Sequence, residues 1–388
     1  MNDFDDAALD DPDELLRRDP GAMLRTLATA GAQVREALLR LPEGVIAAVA
    51  EDGRPRAVLL VGVGSSGIVG DIAAAVAGRA CPVPVIPERG LRLPGWVGAM
   101  DLVVAASASG ATDDTLTVLD EAVRRGARVV TVGAPGSPLA ARADQSRAVH
   151  LPVDPAARLP RSSVWALAVP VLRVLDGLHV LDAPADRLEQ VADRLDTISA
   201  ACGPAVETYD NPAKRLAVSL AGSLPYVWGS SELAGVAARR FAGQLATNAR
   251  YPAVAGVLPE AHREAAAVLA GRFGALATGP EDIFRDPFED DDVARVRVKI
   301  VLLRDTDELP EAARRRESTW SVAERLGVPV EEVAAEGEHP LERLATLLAP
   351  LDLASVYLAL LQGIDPSPIE PIALLNAASA TRSQEDDR

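Results

Sequence analysis

The sequence predicts an α/β fold of two doubly wound halves, each a parallel sheet flanked by helices, with further helices at both ends. Three observations predict it. Runs of β-branched residues and Leu end in small-residue turns that lead straight into helical stretches. This order occurs before residue 155 and starts again after Asn211. The chain has 388 residues, 48% of them hydrophobic and 24% charged, which suits two packed units at roughly 150 residues per domain.

Taken in order, residues 13–42 carry Leu, Met, Ala and Val at three-and-four spacing, so they read as one or two amphipathic helices forming an N-terminal lid or clasp. AVLLVGVG (57–64) reads as a strand with a tight Gly turn, and IVGDIAAAVAGRA as the helix behind it. CPVPVIPE (81–88), DLVVAASASG (101–110) and RVVTVGAP (128–135) are further strands. TDDTLTVLDEAVRRGA (112–127) is a helix with Thr112 at its N-cap. Residues 162–181 form a helix apolar on most sides, placed between layers, and RLEQVADRLDTISAAC continues as a bridging helix. After Asn211 come a helix (AKRLAVSLAG), a strand (223–231), a helix (232–250), a strand (296–305), a helix (317–327) and a strand in VPVEEVAAEG. Residues 344–363 and IDPSPIEPIALLNAAS form terminal helices before a frayed tail. The organisation is an acidic helical lead over 1–45, a first unit over 46–185 and a second over 186–388.

Composition removes several functions. Lys+Arg number 39 against 56 Asp+Glu, a net charge of −17, so the average field repels nucleic acid. Two cysteines, Cys81 and Cys202, fit neither a disulfide scaffold nor a thiolate metal site and suit a reducing cytoplasm. His150, His179, His262 and His339 are scattered, without metal-ligand spacing. The acidic start is unlike a signal peptide, and apolar runs are interrupted by charge, Pro or Gly, which argues against a membrane partner. The apolar helices 162–181 and 344–363 suggest a homodimer face, with internal core as the alternative.

Two Ser/Gly turns carry chemistry: Gly62-Val63-Gly64-Ser65-Ser66-Gly67 and Ser107-Ala108-Ser109-Gly110-Ala111-Thr112. Each follows a buried strand and opens a helix, where hydroxyls, backbone N–H groups and the helix dipole favour an anion. No Lys follows Gly67, so the first turn is not a Walker loop. Its G-x-G alone is weak support for a dinucleotide, and Glu88, the acid about 20 residues on, lies beside Arg89 in a Pro-rich bend. No cofactor is implied.

GVGSSGIVGD (62–71), SASGAT (107–112) and Asp114-Thr115 resemble the sugar isomerase (SIS) domain. RGLRLPGWVGAMDLVVAASASGAT (89–112), LPRSSVWALAVPVL (159–172), NPAKRLA (211–217), RRFAGQLATNARYPA (239–253) and PLDLASVYLALLQGIDPSPIEPIALLN (350–376) resemble one SIS branch, the bifunctional phosphoglucose/phosphomannose isomerases. The resemblance implies two SIS-type subdomains, a sugar phosphate as ligand, and aldose–ketose isomerisation through a cis-enediol. It implies Ser66, Ser107, Ser109 and Thr112 as the phosphate clamp. Arg161 would face the developing enediolate, and His262 would open the sugar ring with Glu264 beside it. Both residue types suit such work: Arg stabilises an oxyanion and His moves protons near neutral pH.

Two positions depart from the family. Family members have a glutamate directly before the Asn of RFAGQLATNAR, and it shuttles the proton between C1 and C2. Here Thr247 stands there, and a threonine hydroxyl is far too weak a base. The family lysine of the last helix corresponds to Asn376. Glu264, Glu260 or Glu232 would then have to supply the base. Otherwise the chain is a catalytically impaired phosphosugar-binding or regulatory SIS protein, or one that performs a ring-opening step alone.

Overall fold

The computed structural model describes residues 6–154, 159–277, 296–375 and 378. Four helices lead: α1 (Pro12–Arg18), α2 (Met23–Ala28), α3 (Ala30–Arg40) and α4 (Glu43–Ala50). They are not a lid. Leu15, Met23, Leu24, Leu27 and Val34 are buried in the main core, because their three-and-four spacing gives each helix an apolar stripe that needs a partner.

The first sheet contains β1 (Val58–Val61), β2 (Val85–Glu88), β3 (Leu102–Ser107), β4 (Arg128–Gly133) and β5 (Val149–Pro152). The crossover helices are α5 (Gly64–Ala77), α6 (Asp113–Arg124) and α7 (Pro138–Ser146). All pairings are parallel, in the order β2-β1-β3-β4-β5. Strands β1 and β3 are buried on both faces, which is why they read as unbroken apolar runs. Leu60, Val104 and Val132 face the main core. Leu59, Val103 and Ala105 face Leu116 and Leu119 of α6.

Helices α8 (Val164–Gly177), α9 (Ala185–Ala201) and α10 (Pro212–Leu220) connect to the second sheet. That sheet has β6 (Ser223–Gly229), β7 (Val254–Val257), β8 (Arg297–Arg304) and β9 (Val330–Ala334), with α11 (Glu232–Asn248), α12 (Glu260–Glu264) and α13 (Pro310–Arg325) after β6, β7 and β8. Helix α14 (Pro340–Leu361) follows. The order β7-β6-β8-β9, all parallel, repeats the β2-β1-β3-β4 order of the first sheet. The repetition read from the sequence is therefore real at the level of topology.

Several readings are corrected. Helix α14 is long and apolar enough to cross a membrane, but 94% of its apolar window is buried inside the protein. It packs on α9, α10 and α11. Helix α8 is likewise buried along nearly its whole length. Both are core, so neither offers a free face for a dimer. Strands β5 and β7 and helices α7 and α12 escaped the sequence reading because each is short and lacks a strong period. Thr112 does sit at the N-cap of α6, yet its side chain makes no cap hydrogen bond.

Candidate active site

In an open parallel sheet, a crevice forms where neighbouring strands send their crossovers in opposite directions, outside the carboxyl ends of the strands. Here that point lies between β1 and β3, which pair as Val61↔Ala105. Both Ser/Gly turns emerge there. Ser66, in the first turn of α5, accepts a hydrogen bond from the Ala108 N–H at 3.3 Å, which ties one loop to the other. Ser107 Oγ lies 3.0 Å from Thr112 Oγ1 and accepts the Gly110 N–H at 3.1 Å. Ser109 Oγ accepts the Ala111 N–H at 3.3 Å and is exposed. Ser66 and Thr112 are half-buried, and Ser107 is buried.

Two glycines permit this closeness. A Cβ on Gly67 would come within 2.7 Å of the Gly62 carbonyl oxygen, so only Gly lets α5 approach the strand end. Gly110 has φ +64, the left-handed region that glycine adopts without penalty. Neither α5 nor α6 carries a side-chain cap, so their first-turn N–H groups remain available to an anion. Helix α5 also lacks acidic residues in its first turn. Helix α6 has Asp113 and Asp114 there, which makes α5 the stronger of the two dipoles for this purpose.

Beside the crevice, the 3-10 turn Pro160–Ser162 packs against α5 and presents Arg161. Arg161 is buried. Its Nε donates to Asn248 Oδ1 at 2.7 Å, and its Nη2 donates to the carbonyls of Pro366 at 2.5 Å and Ser367 at 2.7 Å. Burial, reinforced by the nearby Arg250 cation and opposed by Asp365, lowers its pKa to about 10, so it stays charged at neutral pH. The guanidinium thus holds the Asp365–Pro368 segment in place.

Its supports were not read from the sequence. Arg240, Gln244 and Asn248 lie four residues apart on the buried face of α11. Arg240 forms a bidentate pair with Asp352 of α14, with contacts of 2.6–3.0 Å. Arg240 also donates to the Arg161 carbonyl at 3.0 Å, and Asn248 donates to Ser355 Oγ at 2.9 Å. The available signal was this four-residue repeat of polar side chains inside an otherwise apolar helix.

A second bridge was also missed. Asp71, nearly buried on α5, is held by Arg89, which follows β2, and by Arg239 of α11 at 3.4 Å. Arg89 also donates to the Gly67 carbonyl at 3.0 Å, so the first two turns of α5 are anchored to both units.

The other expected residues make no bond to this crevice among the described residues. His262 is half-buried and Glu264 exposed on α12, beyond the edge strand β7. Among the described residues, no hydrogen bond or ion pair joins either of them to the Ser66/Ser107 crevice or to Arg161. Thr247 donates its hydroxyl to the Gly243 carbonyl at 2.8 Å, within its own helix. Glu232 pairs with Arg79 at 3.2 Å on the surface. Asn376 and the tail beyond residue 379 lie outside the described residues.

A parallel-sheet protein with paired hydroxyl loops at this crevice, and a second sheet of the same order, has the fold of the double SIS-domain proteins. Residues 209–378 match the family model of the bacterial phospho-glucose isomerase C-terminal SIS domain. The chain is 28% identical over 319 residues to the bifunctional phosphoglucose/phosphomannose isomerase of Caldicellulosiruptor bescii, covering 82% of this chain and 88% of that protein. The enzyme of the same name from Aquifex aeolicus is 27% identical, covering 84% and 91%. Among solved structures, a glucose-6-phosphate isomerase from Chlamydia trachomatis superposes with a TM-score of 0.68 at 14% identity, covering 94% of this chain and 78% of that one; it shares the fold. The chain is thus similar along most of its length to the bifunctional phosphoglucose/phosphomannose isomerases.

Proposed function

We propose that the protein is a phosphosugar aldose–ketose isomerase of the glucose 6-phosphate or mannose 6-phosphate to fructose 6-phosphate type, acting in the cytoplasm. The observation that carries this reading is the joining of the two hydroxyl loops at the β1/β3 crevice by the Ser66–Ala108 and Ser107–Thr112 contacts. The names of its relatives supply the reaction class. Residues 46–185 are the phosphate-holding subdomain, in which Ser66, Ser107, Ser109 and Thr112 with the α5 N–H groups grip the dianion. Residues 186–388 form its companion.

In the aldose-to-ketose direction, a base removes the C2 proton, a cis-enediol forms as a proton moves between O1 and O2, and C1 takes up a proton. Arg161 stabilises the enediolate charge, and His262 with Glu264 opens the ring. Because, among the described residues, no hydrogen bond or ion pair joins α12 to the crevice, a homodimer in which the second copy lends His262 suits this reading.

The test is a coupled assay with solvent-deuterium exchange at C2, together with melting curves in glucose 6-phosphate, fructose 6-phosphate and mannose 6-phosphate. We expect ligand-dependent melting and exchange above the blank. Unchanged melting in all three would refute the reading.

One observation favours a second reading, a phosphosugar-binding regulatory protein. The Thr247 hydroxyl is committed to a helix carbonyl and cannot serve as base. Thr247→Glu separates the two. A gain of isomerase activity over an inactive parent means that the fold kept its grip and lost its base.

A further inference from the structure

The second sheet has a crevice of its own, between β6 and β8, at the place equivalent to the β1/β3 crevice. Ser230 and Ser231 follow β6 and open α11, as the first Ser/Gly turn follows β1 and opens α5. The ingredients of an anion site are again assembled, and here they surround a carboxylate. Asp305, immediately after β8, is 3% exposed. Its Oδ2 accepts the Ser231 hydroxyl at 2.7 Å, and its Oδ1 accepts Arg343 Nε at 2.7 Å and the Asp307 N–H at 3.3 Å. Its own N–H donates to Ser230 Oγ at 2.9 Å. Arg343 is buried as well. Ser231 in turn caps α11 by accepting the Ala234 N–H at 3.1 Å, so the carboxylate reaches that helix start through one hydroxyl.

We infer that the β6/β8 crevice is an anion site whose anion is part of the chain, Asp305, and that the protein therefore takes one phosphosugar per chain although it has two crevices of the same topology. A buried guanidinium, a donating hydroxyl and a backbone N–H around one acceptor, beside a helix start, are donors that a phosphate would use. The carboxylate satisfies them in its place. The position lies in the wall of a cleft: Asp305, Arg343, Ser230 and Ser231 are among the residues that line a space of about 2010 Å³ between α5 and the second sheet, counted to its open mouth. The anion-site half of this inference stands independently of the proposed isomerase activity; the ligand count rests on it.

The probe is inorganic phosphate, with sulfate beside it and chloride at matched ionic strength as the control. Asp305→Ala leaves Arg343 buried without its partner, and we expect Tm to fall by roughly 5 °C or more in chloride. Phosphate or sulfate at tens of millimolar should recover at least half of that loss, while the parent shifts less. In the double variant Asp305→Ala/Arg343→Met the recovery should vanish. Where Asp305→Ala does not fold, Asp305→Ser, which also vacates the carboxylate position, is read in the same way. A variant no more responsive to phosphate than the parent overturns the inference. So does a calorimetric stoichiometry of two fructose 6-phosphate per parent chain. Absence of any fructose 6-phosphate binding sinks the isomerase reading and leaves the phosphate arms to decide this one.

Discussion

The two crevices are built on the same strand order and differ in what fills them. Between β1 and β3, hydroxyls bond to one another and to backbone N–H groups, and the helix starts have no side-chain caps. Between β6 and β8, a helix start is capped, and a buried Asp305–Arg343 pair occupies the centre. Uncapped donors with no anion of their own are costly to bury and useful to a ligand. Donors that carry an internal anion contribute to stability and are closed to ligands. Duplicating a fold thus does not duplicate a site, because the chemistry depends on a few residues after each strand.

The largest expected effect tests the closed crevice. Arg343→Met leaves the Asp305 carboxylate buried without its cation, and chemical denaturation should register a loss of about 3–5 kcal/mol. Phosphosugar affinity at the first crevice, measured in conditions where the variant is folded, should stay within about threefold of the parent. A tenfold weakening would mean that the two crevices are energetically linked.

Next in size is the open crevice. Ser107→Ala should weaken phosphosugar binding by roughly 10-fold to 100-fold by calorimetry, as expected for lost hydrogen bonds to a charged group. The unliganded Tm should change much less than in Arg343→Met. Equal losses of stability in the two variants would erase the contrast between the crevices.

The smallest effect concerns the opposite, amino-terminal ends of the first sheet's strands, where charge is structural. Asp101 precedes β3. Burial pulls its pKa up, but Arg56, which donates at 2.9 and 2.6 Å, and the Gly98 N–H outweigh this and hold it below the ordinary carboxylate value. A depressed folded pKa contributes stability above the unfolded value of about 4, and that stability is lost as pH falls through the folded value. Asp101→Asn should therefore flatten the acid limb of the stability curve, lowering stability at pH 7 while leaving it nearly unchanged at pH 2. A parallel displacement of the whole curve would assign the loss to packing instead.

Much of the fold was legible because parallel strands buried on both faces leave unbroken apolar runs, as at 58–61 and 102–107, and because turn residues mark where those runs stop. The two Ser/Gly loops were legible for the same reason: their Ser and Gly follow directly on such strands. The pairing of Arg240 with Asp352 was not, since it joins residues 112 positions apart that only packing of α11 on α14 brings together. Nor was the burial of Arg161. An arginine after a proline reads the same whether its guanidinium meets solvent or the carbonyls of a distant segment. Asp305 was hidden in the strand segment 296–305, where one acid at the end of an apolar run looks like ordinary punctuation.

The position of α14 has a consequence for synthesis. This helix packs against α2, α9, α10 and α11, drawing together segments made early and late. A chain leaving the ribosome can pair the strands of its first sheet as they emerge, but the shared interior stays open until residue 361 is out. Until then, the strips of α9, α10 and α11 that α14 covers in the finished protein face solvent.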